Sequence, residues 1–364
     1  MPTGTFFGLS KQSFSSDNMR HLFPAIAFIG GFLWDALTIG QRIQMLDMVI
    51  LLGYLLAAGL ILWWLGHRHQ QGMIGADIDL GRFEPLPFLA LQFLFGGLFS
   101  ALFIMYFKSA GHLLALLSAC LIGVLLILNE FIHRHYKQFT LTWSLFGLAA
   151  MLLFNFLLPF AIGSIHTAWF FIGTLAGASL AHVLRKHTPG CPGDAWPIWA
   201  IAALLVTGYL ADAIPPVPLV KREMQVGVGF SNSQHQYQLM VEKGHWWQWE
   251  YYWSNPLHIQ QGQAVYCVTS VFAPPSLHTK LYHHWQHLDA KQGWLTTSRI
   301  GFSLAGGRKE GFRGYTYIQN LQAGEWKVSV ETETGHTLAT EKFEVILSKP
   351  DEQAEALNME SESF

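Results

Sequence analysis

Charge is scarce in this chain. Asp, Glu, Lys and Arg make up 13% of its 364 residues, about half of the roughly 25% that solvates a soluble globular protein. The formal net charge is -2, so there is no strong basic field to hold nucleic acid. Cysteine is scarcer still, with three in all: Cys120 in an apolar run, Cys191 in a short polar loop and Cys267 in the C-terminal part. Cys267 stands alone there, which excludes a disulfide within that part and a metal site built from cysteines. A glycine-rich phosphate loop, a serine nucleophile elbow and a paired-metal acidic motif are all missing. No cofactor and no metal ion is implied. Catalysis stays open, because membrane enzymes often assemble sites from separate helices.

What the chain does have is apolar length. Hydrophobic residues make up 51% of it, with 27 Phe and 14 Trp, and aromatic residues gather at lipid–water boundaries. Apolar runs near the roughly 20 residues that a bilayer requires fall at 22–40, 45–66, 87–107, 113–132, 141–162, 168–184 and 196–217. The first is led by Lys11 and Arg20 like a signal peptide, but Trp34-Asp35 follows where a small-residue cleavage site would stand. It therefore reads as an uncleaved helix. With a cytoplasmic N-terminus, that side receives Lys11, Arg20, Arg68, Arg82, Arg134, Lys137, Arg185 and Lys186, against Arg42 and Lys108 opposite. This asymmetry, with an odd number of spans, puts the C-terminal part outside.

After Pro215, Pro216 and Pro218 apolar residues alternate with polar ones. Strands are expected at 224–230, 237–241, 246–253, 264–272, 280–288, 295–304, 315–319, 326–332 and 337–346, a spacing that suggests an antiparallel sandwich. The expected architecture is an α-helical membrane bundle of about seven transmembrane helices plus a C-terminal all-β antiparallel sandwich. Its divisions are a cytoplasmic segment (1–21), a transmembrane domain (22–219), an extracytoplasmic β-domain (220–348) and a disordered acidic tail (349–364).

These stretches resemble a family of bacterial membrane proteins with a C-terminal domain of unknown function, number 2914. The likeness rests on Val265-Tyr266, Leu281-Tyr282-His283-His284-Trp285, Gly324-Glu325-Trp326-Lys327-Val328, Gly335-His336-Thr337-Leu338 and Phe343-Glu344-Val345. In the membrane part it rests on Trp34-Asp35-Ala36-Leu37-Thr38, Phe95-Gly96-Gly97-Leu98-Phe99-Ser100 and Leu128-Asn129-Glu130-Phe131. The resemblance implies this architecture and a bacterial envelope location, with no reaction and no catalytic residue.

Charged groups inside spans are the first candidates, since an acid at mid-bilayer costs roughly 2.5–3.5 kcal/mol on insertion scales. Asp35 and Asp212 fall in the outer halves of the first and last runs, with Arg42, Asp47, Lys108, His112 and His166 at the same outer edge. They form either an outward-facing polar pocket beneath the β-domain or helix-end charges that hold the bundle together. Glu130 and Arg134 are spaced for an ion pair at a helix end. Gly173-x-x-x-Gly177 reads as close helix packing.

In the β-part, His283 and His287 share a strand face with Trp285 and His284 points away. This suits surface or edge histidines better than a zinc site, which needs three or four converging ligands. The run Trp246-Trp247-Gln248-Trp249-Glu250-Tyr251-Tyr252-Trp253 puts Trp247, Trp249, Tyr251 and Trp253 on one face, and Trp246 and Tyr252 on the other. Exposed aromatics among polar groups suit a sugar ring, a protein partner or lipid headgroups.

The binding candidates are thus Asp35, Arg42, Lys108, Asp212, Trp246, Trp247, Trp249 and Tyr252. The expected function is non-enzymatic: a multi-pass protein of the bacterial inner membrane, presenting a periplasmic β-sandwich to an envelope protein or glycan. The alternative is a membrane enzyme or transporter acting on a lipid-linked or small polar substrate through the outer pocket. Convergence of Asp35, Arg42, Lys108 and Asp212 on one cavity would favour that alternative.

Overall fold

The computed structural model describes residues 33, 35, 45–70, 86–132, 139–190, 193–233, 236–242, 255–274, 277–305, 311–348 and 359–363. The apolar runs become helices: α1 (Met45–Gln70), α2 (Leu86–Ser109), α3 (Leu113–Ile132), α4 (Phe139–Ile162), α5 (Thr167–His187) and α6 (Trp196–Leu210). Six helices stand among the described residues, not about seven. The first expected span lies outside them except for Leu33 and Asp35, which are helical.

Four helices (α1, α2, α4 and α5) are long and apolar enough to cross a membrane. Their shared core is lined by Leu55, Leu62, Phe95, Phe99, Trp143 and Phe156. Leu60, Phe93, Leu113, Leu175 and Leu204 face outward and are more than half exposed, in keeping with a lipid surround. Gly173 and Gly177 of α5 pack on α4, where a Cβ would meet Asn155 Oδ1 or the Met151 nitrogen at 2.5 Å. Beside them Asn155 and Thr174 exchange side-chain hydrogen bonds of 3.0 and 3.2 Å.

The last helix corrects its expected length. The apolar run continues to 217, yet α6 has 15 residues, about 22 Å of rise. It stops in a Schellman motif: Ala213 N–H donates to Gly208 O at 2.8 Å, and Asp212 takes a left-handed φ of 55°. Pro215 and Pro216 then prevent the helix from resuming.

Ten strands follow among the described residues: β1 (Val220–Ser233), β2 (Gln236–Glu242), β3 (Pro256–Ile259), β4 (Val265–Phe272), β5 (His278–Asp289), β6 (Gly293–Ala305), β7 (Phe312–Ile318), β8 (Gly324–Thr332), β9 (Thr337–Leu347) and β10 (Met359–Ser363). They make two five-stranded sheets, β10-β2-β1-β4-β7 and β3-β9-β8-β5-β6. The sheets share a core of Trp285, Trp326, Phe343, Leu281 and Val328.

Two expectations need correcting here, and one falls on residues that are not described. The second sheet is mixed, because β3 runs parallel to β9. The expected strand at 246–253 lies outside the described residues. The tail expected to be disordered ends in a strand, β10, paired antiparallel with β2.

Strand direction fixes which end of the β-domain meets the bundle. β1 leaves α6 within ten residues, so the start of β1, the end of β4 and the start of β7 lie near the helices. The β8–β9 turn lies there too, with Leu338 against the α2–α3 connection: a Cβ on Gly111 would overlap the Leu338 carbonyl. Ile165, in the α4–α5 connection, packs on the β-core.

Candidate functional site

The junction between helices and strands is organised by Asp212. The Schellman turn holds its carboxylate beyond the end of α6, facing the first residues of β9. Thr337 N–H donates to Oδ1 and Oδ2 at 3.2 and 3.3 Å. His336 Nδ1 donates to Oδ1 at 3.3 Å. From the α2–α3 connection, His112 accepts the Ala115 N–H at Nδ1 and brings its buried Nε2 to 3.8 Å from Asp212 Oδ2. The His336 ring lies 4.1 Å from that of Tyr209, which stacks on Phe170 of α5 at 3.9 Å. Burial works to raise the Asp212 carboxyl, but the hydrogen bonds from His336 and Thr337 and the charge of His112 outweigh it and hold it below the usual carboxylate range. This is a charge-assisted clamp between bundle and β-domain.

Of the remaining binding candidates, Asp35 and Lys108 are the described ones. Asp35 is half-buried facing Ser100, in the middle of α2. Lys108 stands in the last turn of α2. Arg42 lies outside the described residues, as do Trp246, Trp247, Trp249 and Tyr252. Glu130 is helical, but Arg134, its expected partner, is not described. Among the described residues no group of three His, Cys, Asp or Glu side chains is placed to hold a metal ion.

The histidines of β5 take contrasting places. His283 is fully buried, which corrects its reading as a surface or edge residue. Its Nε2 meets Thr269 Oγ1 and its Nδ1 meets Thr316 Oγ1, each at 2.8 Å, and Trp285 Nε1 donates to the same Thr316 hydroxyl at 3.1 Å. Burial drives the imidazole down to about 3, so it is neutral at physiological pH. Cys267 lies beside it with its thiol pushed up to about 12 by burial, an inert core group. His284 points outward and binds Glu331 at 2.7 Å and Thr296 at 2.8 Å.

The two outer sheet faces differ in chemistry. That of the second sheet is charged: Arg299 meets Glu331 and covers the Tyr282 ring at 4.2 Å, and Lys327 sits 4.6 Å from the Trp294 ring. That of the first sheet is a ring cluster. Phe230 of β1 stacks on Tyr315 of β7 at 4.3 Å and on Tyr266 of β4 at 5.3 Å. Tyr237 of β2 stands edge-on to Phe230 and Tyr315, and Tyr317 packs on Tyr266. Tyr315 and Tyr317 remain 39% and 51% exposed. Phe230 lies ten residues along β1, roughly 30 Å of strand from its start near the helices. No sequence signal marked this cluster, because its rings come one or two per strand from four strands.

Comparison with curated proteins gives no match. Among solved structures, a β-glucosidase from Listeria innocua in complex with gluconolactone aligns at 9% identity and TM-score 0.19, over 34% of this chain and 16% of that one. A β-glucosidase from Kluyveromyces marxianus aligns at 12% identity and TM-score 0.17, over 34% and 14%. The Pseudomonas fluorescens alkylpurine DNA glycosylase AlkC, bound to DNA containing an abasic site analog, aligns at 13% identity and TM-score 0.19, over 91% and 97%. The chain thus spans about a sixth of the length of the first of these, and TM-scores this low carry no argument about fold or function. Family comparison is more direct: residues 278–345, from the start of β5 into β9, match the family described as Protein of unknown function (DUF2914).

Proposed function

We propose that this is a multi-pass membrane protein of the bacterial envelope that holds its β-domain on the outer face of the inner membrane, where it binds an envelope glycan. The observation that carries the reading is the ring cluster of Phe230, Tyr237, Tyr266, Tyr315 and Tyr317 on one sheet face, with its outermost rings exposed. On the same face Arg313 of β7 is in register with Ser270 of β4, two residues from Tyr315, so polar groups neighbour the rings. Flat apolar rings beside hydrogen-bonding groups are what a sugar ring requires, with its apolar C–H face and hydroxyl rim.

Asp212, one of the membrane candidates, is engaged by Thr337 and His336 of the β-domain, which supports an anchoring role for the helix end that carries it. The helices then serve to fix the β-domain in one orientation.

Full-length protein in detergent, titrated with soluble peptidoglycan fragments and with a panel of envelope polysaccharides, should bind one class saturably. Tyr317→Ala and Tyr315→Ala should each weaken binding about tenfold, the equivalent of roughly 1.4 kcal/mol, with thermal stability little changed. Capture of a protein from native membranes in a Tyr317-dependent manner, with no glycan bound, would overturn the glycan assignment in favour of a protein partner.

A further inference from the structure

Beside the Asp212 clamp, a cavity of about 710 Å³ opens between the α4–α5 connection and the bundle-facing end of the β-domain. His166 contributes from the helical side. His278, Thr279 and Lys280 contribute from the start of β5, and Glu333 and Thr334 from the β8–β9 turn. We propose that this cavity binds the phosphate of a membrane lipid headgroup.

Position is the first argument. His166 is the N-cap of α5 and lies four residues past the end of α4, both helices long and apolar enough to span a bilayer. A cavity floored by that connection lies at the depth of the lipid headgroups, about 15 Å from the bilayer midplane. On the two helices that meet at this connection, Ile162 of α4 and Ile172 and Leu175 of α5 are exposed, apolar side chains suited to the acyl chains of the same lipid.

Lining chemistry is the second. Residues with donor side chains dominate, among them Lys280, His166, His278, Thr279 and Thr334, with Glu333 the one acidic residue in the lining. His166 accepts the Ala168 N–H at Nδ1, 3.2 Å away. That bond leaves Nε2 as the nitrogen that carries a proton and can donate to an anion. A phosphate offers acceptors alone, and a lysine with neighbouring N–H and O–H donors is a common way to hold one. The volume falls within the range of small-molecule sites, roughly 300–1,000 Å³, enough for a glycerophosphate headgroup.

The site is separate from the ring cluster, which lies toward the other end of the first sheet. The test uses full-length protein in a mild non-ionic detergent, with bound lipid counted by native mass spectrometry. Dioctanoyl phosphatidylglycerol is the probe; dioctanoylglycerol, which lacks the phosphate, and inorganic phosphate are the comparisons. Wild type should take up the phospholipid saturably, and Lys280→Glu should weaken uptake about tenfold or more. Lys280→Gln, which keeps a polar side chain without the charge, should be weakened less. Dioctanoylglycerol should not saturate, and inorganic phosphate should not displace the phospholipid at equal concentration. Equal uptake by wild type and both variants overturns the proposal, as does saturable binding of dioctanoylglycerol. Full displacement by inorganic phosphate would assign the site to a free anion and overturn its membrane ligand.

Discussion

His283 shows what a single position gains from partners remote in sequence. Alternation along β5 places it on the face of Trp285, but nothing local says that this face is the core. The decision rests on Thr269 and Thr316, which satisfy both ring nitrogens from β4 and β7. A buried neutral histidine makes stability depend on pH. The unfolded chain takes up a proton below about pH 6.5, whereas the folded chain resists until about 3. Stability should therefore be level above pH 6.5 and fall as pH drops from 6.5 toward 3. The slope approaches ~1.4 kcal/mol per pH unit from this one group. His283→Gln should be less stable than wild type at pH 7.5, and the gap should narrow at pH 4.5. Thermal unfolding of both proteins in detergent at the two pH values measures this; a gap that stays constant would show that His283 does not resist protonation in the fold.

At the scale of elements, helix existence and most strand positions were legible, because apolar length and period-two alternation are local signals. Gly173-x-x-x-Gly177 announced a close helix contact, though not that α4 was the partner. The failures were also physical. The end of α6 depends on the left-handed backbone at Asp212, which a hydropathy run does not register. The four-residue β3 gains its place by pairing with β9. β10 reads Met-Glu-Ser-Glu-Ser, with no apolar alternation, and is held by its ladder to β2. The helix contact gives a clear contrast between two glycines. A Cβ at Gly177 would meet backbone atoms of Met151 at 2.5 and 2.6 Å, which cannot yield without moving α4, whereas at Gly53 it meets nothing within 4 Å. Gly177→Ala should destabilise the protein by about 1–3 kcal/mol through overpacking. Gly53→Ala should be neutral or stabilise by up to ~1 kcal/mol through helix propensity. Thermal unfolding in detergent separates them, and equal midpoints would mean that α4 and α5 are less tightly packed than their backbones imply.

For the molecule as a whole, the decisive feature is how two architectures with different cores are joined. The sequence placed Asp212, His112 and His166 on one side of the bundle, but their partners are set by the topology of the β-domain. His336 and Thr337 lie more than 120 residues from Asp212 and meet it because the β8–β9 turn faces the helices. The position carries two opposed demands. Its left-handed backbone favours glycine, and any other L-residue costs roughly 1–2 kcal/mol there, with Asp and Asn the best tolerated. Its carboxylate supplies hydrogen bonds of the charge-assisted kind, about 1.5–3 kcal/mol each at most and less here because the side chain is 34% exposed. Three substitutions at this residue therefore separate backbone from side chain. Asp212→Asn keeps a residue at ease in this conformation and an acceptor for Thr337, so it should lose less than ~1 kcal/mol. Asp212→Gly relaxes the backbone and removes the acceptor, for a loss of about 1–2 kcal/mol. Asp212→Ala suffers both effects, for about 2–3 kcal/mol. Hydrogen exchange of the amides from Thr334 to Leu338 should rise in the same order, while the core of β4 and β8 keeps its protection. If glycine proved as stable as wild type, with Thr337 still protected, the carboxylate would not be what fastens the β-domain to the bundle. The Gly111–Leu338 contact and Ile165 would then carry that role.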